Sequence, residues 1–342
     1  MQKKLSEGEL LDSNGNLTEA GYATSLVKVY DRKKIKAGKT RIKEWDYYLI
    51  YNRQFGVALT VDDNSYMGLV SISFLDFVNK TEKTVSPMTI LPMGRTNLPA
   101  TSKSGVTEFH NKRCFFSFKV EDGKRILLAR MDNFDQGKPI RMKIILTEEP
   151  DDSMVIATPF DKPGYFYYNQ KIIGMRAKGT VEYLDQKYVF NPEDSFGLLD
   201  WGRGVWTYEN TWYWSAMQGI SDGHVLGFNL GYGFGDTSAA SENMIFYDGQ
   251  SSKLEQIKFH IPGEDEGKDD YLLPWKFTSS DHRLLLDFTP ILDRSAYTSA
   301  GIVLSDQHQV FGWFDGYVVL DSGKKVMIKH MLGFAEKVRN KW

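Results

Sequence analysis

Asp200-Trp-Gly-Arg-Gly-Val-Trp206, then Thr211-Trp-Tyr-Trp-Ser-Ala-Met-Gln-Gly219, then Gly227-Phe-Asn-Leu-Gly-Tyr-Gly-Phe-Gly-Asp236 follow one another in a single stretch. Flat aromatic rings pack well on a pleated surface, and glycine in a strand permits a bend or a close approach, so the stretch reads as successive β-strands. On such a strand Trp212 and Trp214 share one face. Outward from it the texture repeats. Short runs rich in Tyr, Val, Ile and Phe, such as 45–51, 55–61, 66–77, 115–120, 126–131 and 142–146, are broken by Gly, Asn, Asp or Pro. They resume at 164–169, 178–184, 224–232, 243–247, 283–290, 307–319 and 324–333. This is the punctuation of antiparallel sheets or barrels, and the expected class is mainly β. Helical periodicity is scarce, its best candidate being residues 18–25 after the Asn14-Gly15 turn.

A chain of 342 residues exceeds what one core usually organises. The polar stretch around 147–164, Thr-Glu-Glu-Pro-Asp-Asp followed by Pro159 and Pro163, suits a link. It predicts a β domain over residues 1–155 and a fuller β domain over 156–342, the second carrying the tryptophan motif.

The 42 Lys and Arg nearly balance 44 Asp and Glu, which removes the electrostatic case for nucleic acid. The N-terminal Met1-Gln-Lys-Lys-Leu-Ser-Glu-Gly-Glu-Leu lacks the apolar centre of a signal peptide, and no run approaches the length of a membrane span. The single cysteine, Cys114, has no internal disulfide partner and reads as a small buried hydrophobe. A cytoplasmic location is the expectation, with protein partners undetermined. There is no Walker loop, HExxH or paired CxxC, and the six histidines show no metal-ligand spacing, so neither a cofactor nor a metal is expected. The glycines of 231–236 lack the dinucleotide spacing and precede no helix.

The chemistry-bearing residues therefore lie in and beside the opening stretch. A carboxyl group held among tryptophans has its proton affinity raised by desolvation and can protonate an alkene or a leaving oxygen; Asp200 is the candidate donor. Asp236 and Glu242 are candidates for a second carboxylate that activates water. Arg203, bracketed by glycines, can pair with a carboxylate or stack on an indole. Trp201, Trp206, Trp212 and Trp214 would form the walls, and Asn229 and Asn243 the polar contacts. Arg294, with Asp293 and Trp313, could join one barrel mouth. The structural alternative is a packed core in which Asp200 and Arg203 are an ion pair fastening a loop.

Several segments together carry a family resemblance: Phe166-Tyr-Tyr-Asn-Gln-Lys171, Asp200 to Trp206, Gly227 to Asp236, Ser241-Glu-Asn243, Asp293-Arg294 and Gln309-Val-Phe-Gly312. The chain resembles, over nearly its whole length, the bacterial family called domain of unknown function 2804. That family is similar in turn to two-domain lipocalin-like proteins, among them carotenoid 1,2-hydratase, fungal lipocalin-type cyclases and yeast survival-factor proteins. The resemblance implies two consecutive lipocalin-like (calycin) antiparallel β-barrels, and no single activity. In the hydratase relatives an interior aspartate beside aromatic residues protonates a double bond, a setting similar in kind to Asp200 with Trp201, Trp206 and Trp214.

The leading expectation is a small organic ligand, apolar or isoprenoid-like, bound in a tryptophan-lined barrel cavity and transformed by acid catalysis of hydratase, isomerase or cyclase type. Two others stand beside it. One is a carbohydrate-active enzyme, in which tryptophans stack on sugar rings and paired carboxylates act across a cleft. The other is a non-catalytic lipid carrier.

Overall fold

Alternation of apolar and polar residues decides the sheets. Along Lys138–Thr147 the side chains of Ile140, Met142, Ile144 and Leu146 are buried while Arg141 and Lys143 face water, as in a sheet with one face on a core. Phe196–Val205 differs: all ten of its residues are buried, because both of its faces are covered. The computed structural model describes residues 2–301 and 303–341, and among them the only helical elements are three 3-10 turns. No helix among the described residues is long and apolar enough to cross a membrane.

Two antiparallel sheets hold most of the chain. The first runs Thr81–Val85, Met67–Asp76, Phe55–Asp63, Ile42–Tyr51, Phe196–Val205, Phe166–Tyr183, Lys138–Thr147, Lys124–Asp135, Cys114–Glu121, Gly105–His110. It curls until Gly105–His110 returns against Phe55–Asp63. The second runs Gln250–Lys253, Met244–Tyr247, His224–Tyr232, Glu209–Ser221, Lys325–Lys341, Val303–Val319, Leu284–Ala300, Trp275–Ser279, Ile257–His260, and there Ile257–His260 comes back to His224–Tyr232. These are the two antiparallel β-barrels.

Each barrel has its own interior. Phe116, Phe134, Tyr168, Phe190 and Trp201 fill the first; Phe228, Phe259, Trp275, Phe277 and Phe314 fill the second. A third cluster, including Tyr47, Tyr167, Trp206, Trp214, Phe234, Phe311 and Phe334, lies in the seam where the outer faces of the two barrels meet. Each large side chain buried there is worth about 1.5–3 kcal/mol, so the seam is a core in its own right.

Two expectations change. The polar, proline-punctuated stretch predicted to link two domains near residue 155 is only the loop and turn flanking Met154–Pro159, with Pro159 ending that strand and Pro163 in the turn after it. The strands Met154–Pro159, Phe166–Tyr183, Gln186–Phe190 and Phe196–Val205 all hydrogen-bond into the first sheet, and the chain changes sheet between Val205 and Glu209. The tryptophan motif thus belongs to the first barrel. Residues 18–25, the best helical candidate, form no helix: Gly21–Ala23 is a short strand pairing with Met154–Pro159.

Candidate functional site

Directly opposed residues of an antiparallel pair share a face, so the register writes out the seam. On the first barrel one row runs Lys171, Asp200, Tyr47, Thr60 across four strands. The next row is Asn169, Gly202, Trp45, Asp62, Leu69. On the second barrel a row runs Gly231, Trp214, Glu336, Gln309, Arg294. Beside it stand Trp212, Val338 and Gln307, then Asn210 and Asn340. Residues of these rows, with Asn64, Tyr167, Trp206, Phe234 and Glu242, line a cavity of about 230 Å³.

The facing rows are tied together. Lys171 Nζ donates to Asp200 Oδ2 at 2.8 Å and lies 3.8 Å from the ring centre of Trp214 on the opposite barrel. Tyr47 Oη donates to Gln309 Oε1 at 3.3 Å. Trp206 and Phe234 pack edge-to-face at 4.7 Å, and Trp212 meets Trp206 at 5.7 Å and Phe234 at 5.4 Å.

Glycines make this packing feasible by leaving space. A Cβ at Gly202 would sit 1.9 Å from Trp45 Cζ2, because the Trp45 indole folds across its paired glycine. A Cβ at Gly231 would sit 2.5 Å from Glu242 Oε1.

The carboxyl groups are held differently. Both Asp200 oxygens act as acceptors, Oδ2 from Lys171 and Oδ1 from Asn169 Nδ2 at 2.6 Å. Glu336 accepts from Trp212 Nε1 on Oε1 and from Gln309 Nε2 on Oε2, each at 3.0 Å. Burial nevertheless pushes its carboxyl up to about 7, with the two hydrogen bonds and the charges of Lys171 and Arg294 opposing. Burial likewise pushes Asp62 up to about 7, against the backbone N–H of Leu69 and the charge of Lys43. It pushes Glu242 upward too, where Lys171 opposes and Asp200 adds to the effect. Among the described residues no group of three or more His, Cys, Asp or Glu is placed to hold a metal ion.

Of the residues expected from sequence, Asp200, Glu242, Trp206, Trp212 and Trp214 line the cavity together. Arg203 and Trp201 do not. Strand alternation turns them into the first barrel, where Arg203 Nη2 pairs with Asp46 Oδ1 at 3.0 Å and the guanidinium lies 4.3 Å from the Trp201 ring centre. Arg203 further donates to the carbonyls of Trp45, Gly202 and Pro99, so it fastens the barrel wall, and the cation beside Asp200 is Lys171.

Asp236 is also away from the cavity: it is exposed, and its carboxylate caps a turn by accepting from Ser238 N at 2.9 Å. Asn229 and Asn243 are buried braces. Asn229 accepts from Trp214 Nε1 at 2.7 Å and donates to the Glu242 carbonyl at 2.9 Å, which fixes both lining residues. Asn243 bridges Gly231 N and the Glu255 carbonyl. Arg294 lines the cavity and donates to Ser73 Oγ at 2.7 Å. Residues that sequence reasoning did not single out are Glu336, Lys171, Asp62, Tyr47, Gln309 and Asn340. One signal for Glu336 was available: it is an acid in phase with Leu332, Phe334 and Val338 on an alternating strand.

The chain belongs to the family described as Domain of unknown function (DUF2804), which matches residues 2–342. No curated protein matches it at significant sequence similarity. Among solved structures, a candidate AttH protein from Nitrosomonas europaea superposes with a TM-score of 0.55 at 11% identity, covering 92% of this chain and 98% of that one. This likeness bears on the fold alone. Kievitone hydratase from Nectria haematococca gives a TM-score of 0.49 at 11% identity, with 98% of each chain covered. CghA in complex with Sch210972 gives 0.45 at 12% identity, covering 98% of this chain and 97% of that one.

Proposed function

We propose that the protein binds a small, largely apolar organic molecule in the seam between its barrels and transforms it by acid–base chemistry supplied by its own side chains, of hydratase, isomerase or cyclase type. The observation that supports this is the placement of carboxyl groups on two facing, aromatic-walled rows where burial raises the proton affinity of Glu336 and Glu242. An acid that holds its proton near neutrality yet can release it is what general acid catalysis requires.

In this reading Glu336 delivers a proton to an alkene carbon or a leaving oxygen. The positive charge left on the ligand is stabilised by the Asp200 carboxylate and by the faces of Trp214 and Trp212. Glu242 then takes a proton from the entering water or from the adjacent carbon, and exchange with solvent, which removes a proton from Glu242 and returns one to Glu336, restores the starting state. Asp200, directly paired with the Lys171 ammonium, serves as the fixed negative charge, its orientation held by Lys171 and Asn169.

Rival readings fit the walls less well. Trp206, Trp212 and Phe234 pack edge-to-face against one another and offer no flat platform for a sugar ring. A hydrocarbon cargo would make no use of the charged and amide groups, Lys171, Asp200, Glu336, Arg294 and Gln309, that line the cavity.

Native mass spectrometry of the full chain, purified without denaturant, identifies the co-purifying molecule. With that molecule or its precursor as substrate, Glu336→Gln is expected to bind it and lose turnover by about a hundredfold or more. Full turnover in both Glu336→Gln and Asp200→Asn would remove the reading.

A further inference from the structure

Asn340 is fully buried, lines the cavity, and has no hydrogen-bond partner for either amide atom among the described residues. The buried Trp206 Nε1–H, on the first-barrel side of the same cavity, also has no hydrogen-bond partner among the described residues. Buried polar groups are nearly always satisfied, so three such atoms among the residues lining one cavity call for a ligand group that meets them. The surrounding bonds do not divert them. Asn210, paired with Asn340 across the sheet, spends its amide on Thr207. Trp212, whose ring lies against Trp206, spends its N–H on Glu336.

The three atoms define a chemistry. Asn340 Nδ2 and Trp206 Nε1 are donors and Asn340 Oδ1 is an acceptor. A simple anion would satisfy the donors and leave Oδ1 facing negative charge; an ether or ketone would leave Oδ1 empty. A hydroxyl or a primary or secondary carboxamide both donates and accepts, and satisfies the set. The final torsion of asparagine is broad and two-fold, so either amide atom can turn to the ligand.

The spacing places this group relative to the reacting centre. Glu336 and Asn340 lie on one face of Lys325–Lys341, four residues apart, a rise of about 13 Å along the strand. Trp212, paired with Val338 in the row between them, lines the interval, so the body between the two ends is apolar.

We infer that the ligand carries, about 10 Å from the atom that meets Glu336, a hydroxyl or carboxamide recognised by Asn340 and Trp206. The inference rests on the reading of the seam as a ligand site, and its test is one of binding, separate from turnover. The probes are 4-hydroxybiphenyl, 4-methoxybiphenyl and biphenyl, titrated into the full-length protein and followed by tryptophan fluorescence. The hydroxyl compound is expected to bind about tenfold or more tighter than its methyl ether, because the ether leaves Oδ1 unpaired.

Asn340→Leu removes that preference while biphenyl still binds. Trp206→Phe, which keeps the ring and removes the donor, lowers the preference severalfold, and it provides an independent reading if the leucine variant folds poorly. Glu336→Gln leaves the preference intact, and unchanged turnover in that variant counts against the acid–base reading alone. Wild-type protein that binds all three probes alike, or none, overturns the inference. So does a preference that survives both Asn340→Leu and Trp206→Phe, or one lost in Glu336→Gln.

Discussion

Replacing Gly202 by alanine tests whether the seam is built as described, because the sign of the effect is set by one contact. In an ordinary strand a Gly→Ala change stabilises by about 0.5–1 kcal/mol, since the unfolded chain has less freedom to lose. Here the new Cβ would meet Trp45 Cζ2 at 1.9 Å, Cε2 at 2.2 Å and Cη2 at 2.3 Å. The indole would have to retreat by roughly 1.5 Å to reach the 3.4 Å of ordinary contact. It is not free to do so, for it stacks on Tyr167 with centroids 6.0 Å apart and meets Trp206 edge-on at 5.2 Å.

Overpacking of this kind costs about 1–3 kcal/mol, which outweighs the backbone gain, so Gly202→Ala is expected to destabilise by about 1–2 kcal/mol. Urea unfolding followed by far-ultraviolet circular dichroism measures this. The double variant Gly202→Ala/Trp45→Leu should recover the alanine's cost, giving a coupling of about 1–2 kcal/mol. A Gly202→Ala protein as stable as the parent or more so, with no coupling to Trp45, would refute the packing argument for the motif.

Further outcomes follow from the same geometry. The Glu336 carboxyl holds its proton up to about 7 in the folded chain against 4.5 unfolded, so its contribution is complete below pH 4.5 and about 3 kcal/mol of it is withdrawn as pH rises through 7. Glu336→Gln should therefore gain stability relative to the parent between pH 5 and pH 8 in urea titrations, and a pH-independent difference would contradict the burial argument. Lys171→Met strands the Asp200 carboxylate in the seam and should cost about 3–5 kcal/mol, whereas Lys171→Met/Asp200→Asn should cost clearly less than the sum of the single changes; additivity would show that the pair is not coupled. At Gly231 the obstructing atoms belong to the mobile end of Glu242, so Gly231→Ala should alter stability by less than about 1 kcal/mol while a crystal structure shows the Glu242 carboxylate displaced from the cavity; an unmoved Glu242 would be the contrary result.

How far these features were legible in the sequence depends on the range over which each is decided. Strand texture is local, and the alternation of buried and exposed residues along Lys138–Thr147 or Lys124–Asp135 follows from the order of apolar and polar residues alone. The tryptophan motif was legible as special for the same reason, but its glycines had a meaning that sequence alone did not give. Gly202 is needed because Trp45, over 150 residues earlier, folds across it. Strand parity held a further signal that went unread: Asp200 and Arg203 are an odd number of residues apart, so on one strand they face opposite sides and cannot share a pocket. The assignment of residues 156–205 to the second barrel failed because sheet membership is a matter of distant pairing, and prolines at strand ends look the same within a barrel as between two.

The candidate site was the least legible part because neither barrel contains it. Lys171 reaches Asp200 through the register of two strands of the first sheet, and Glu336 reaches Gln309 through the register of two strands of the second. Only the docking of the barrels sets those rows face to face and removes the carboxyl groups from water. The shifts at Glu336 and Glu242 are therefore properties of the seam. A substitution that parts the barrels without unfolding either one, such as a charge at Phe311 or Phe334 in the seam cluster, is expected to return Glu336 towards the ordinary carboxylate range. Carboxyl chemical shifts followed through a pH titration would show this. A Glu336 that still titrates near neutrality in the parted protein would place the cause within the second barrel and detach the proposed chemistry from the two-barrel architecture.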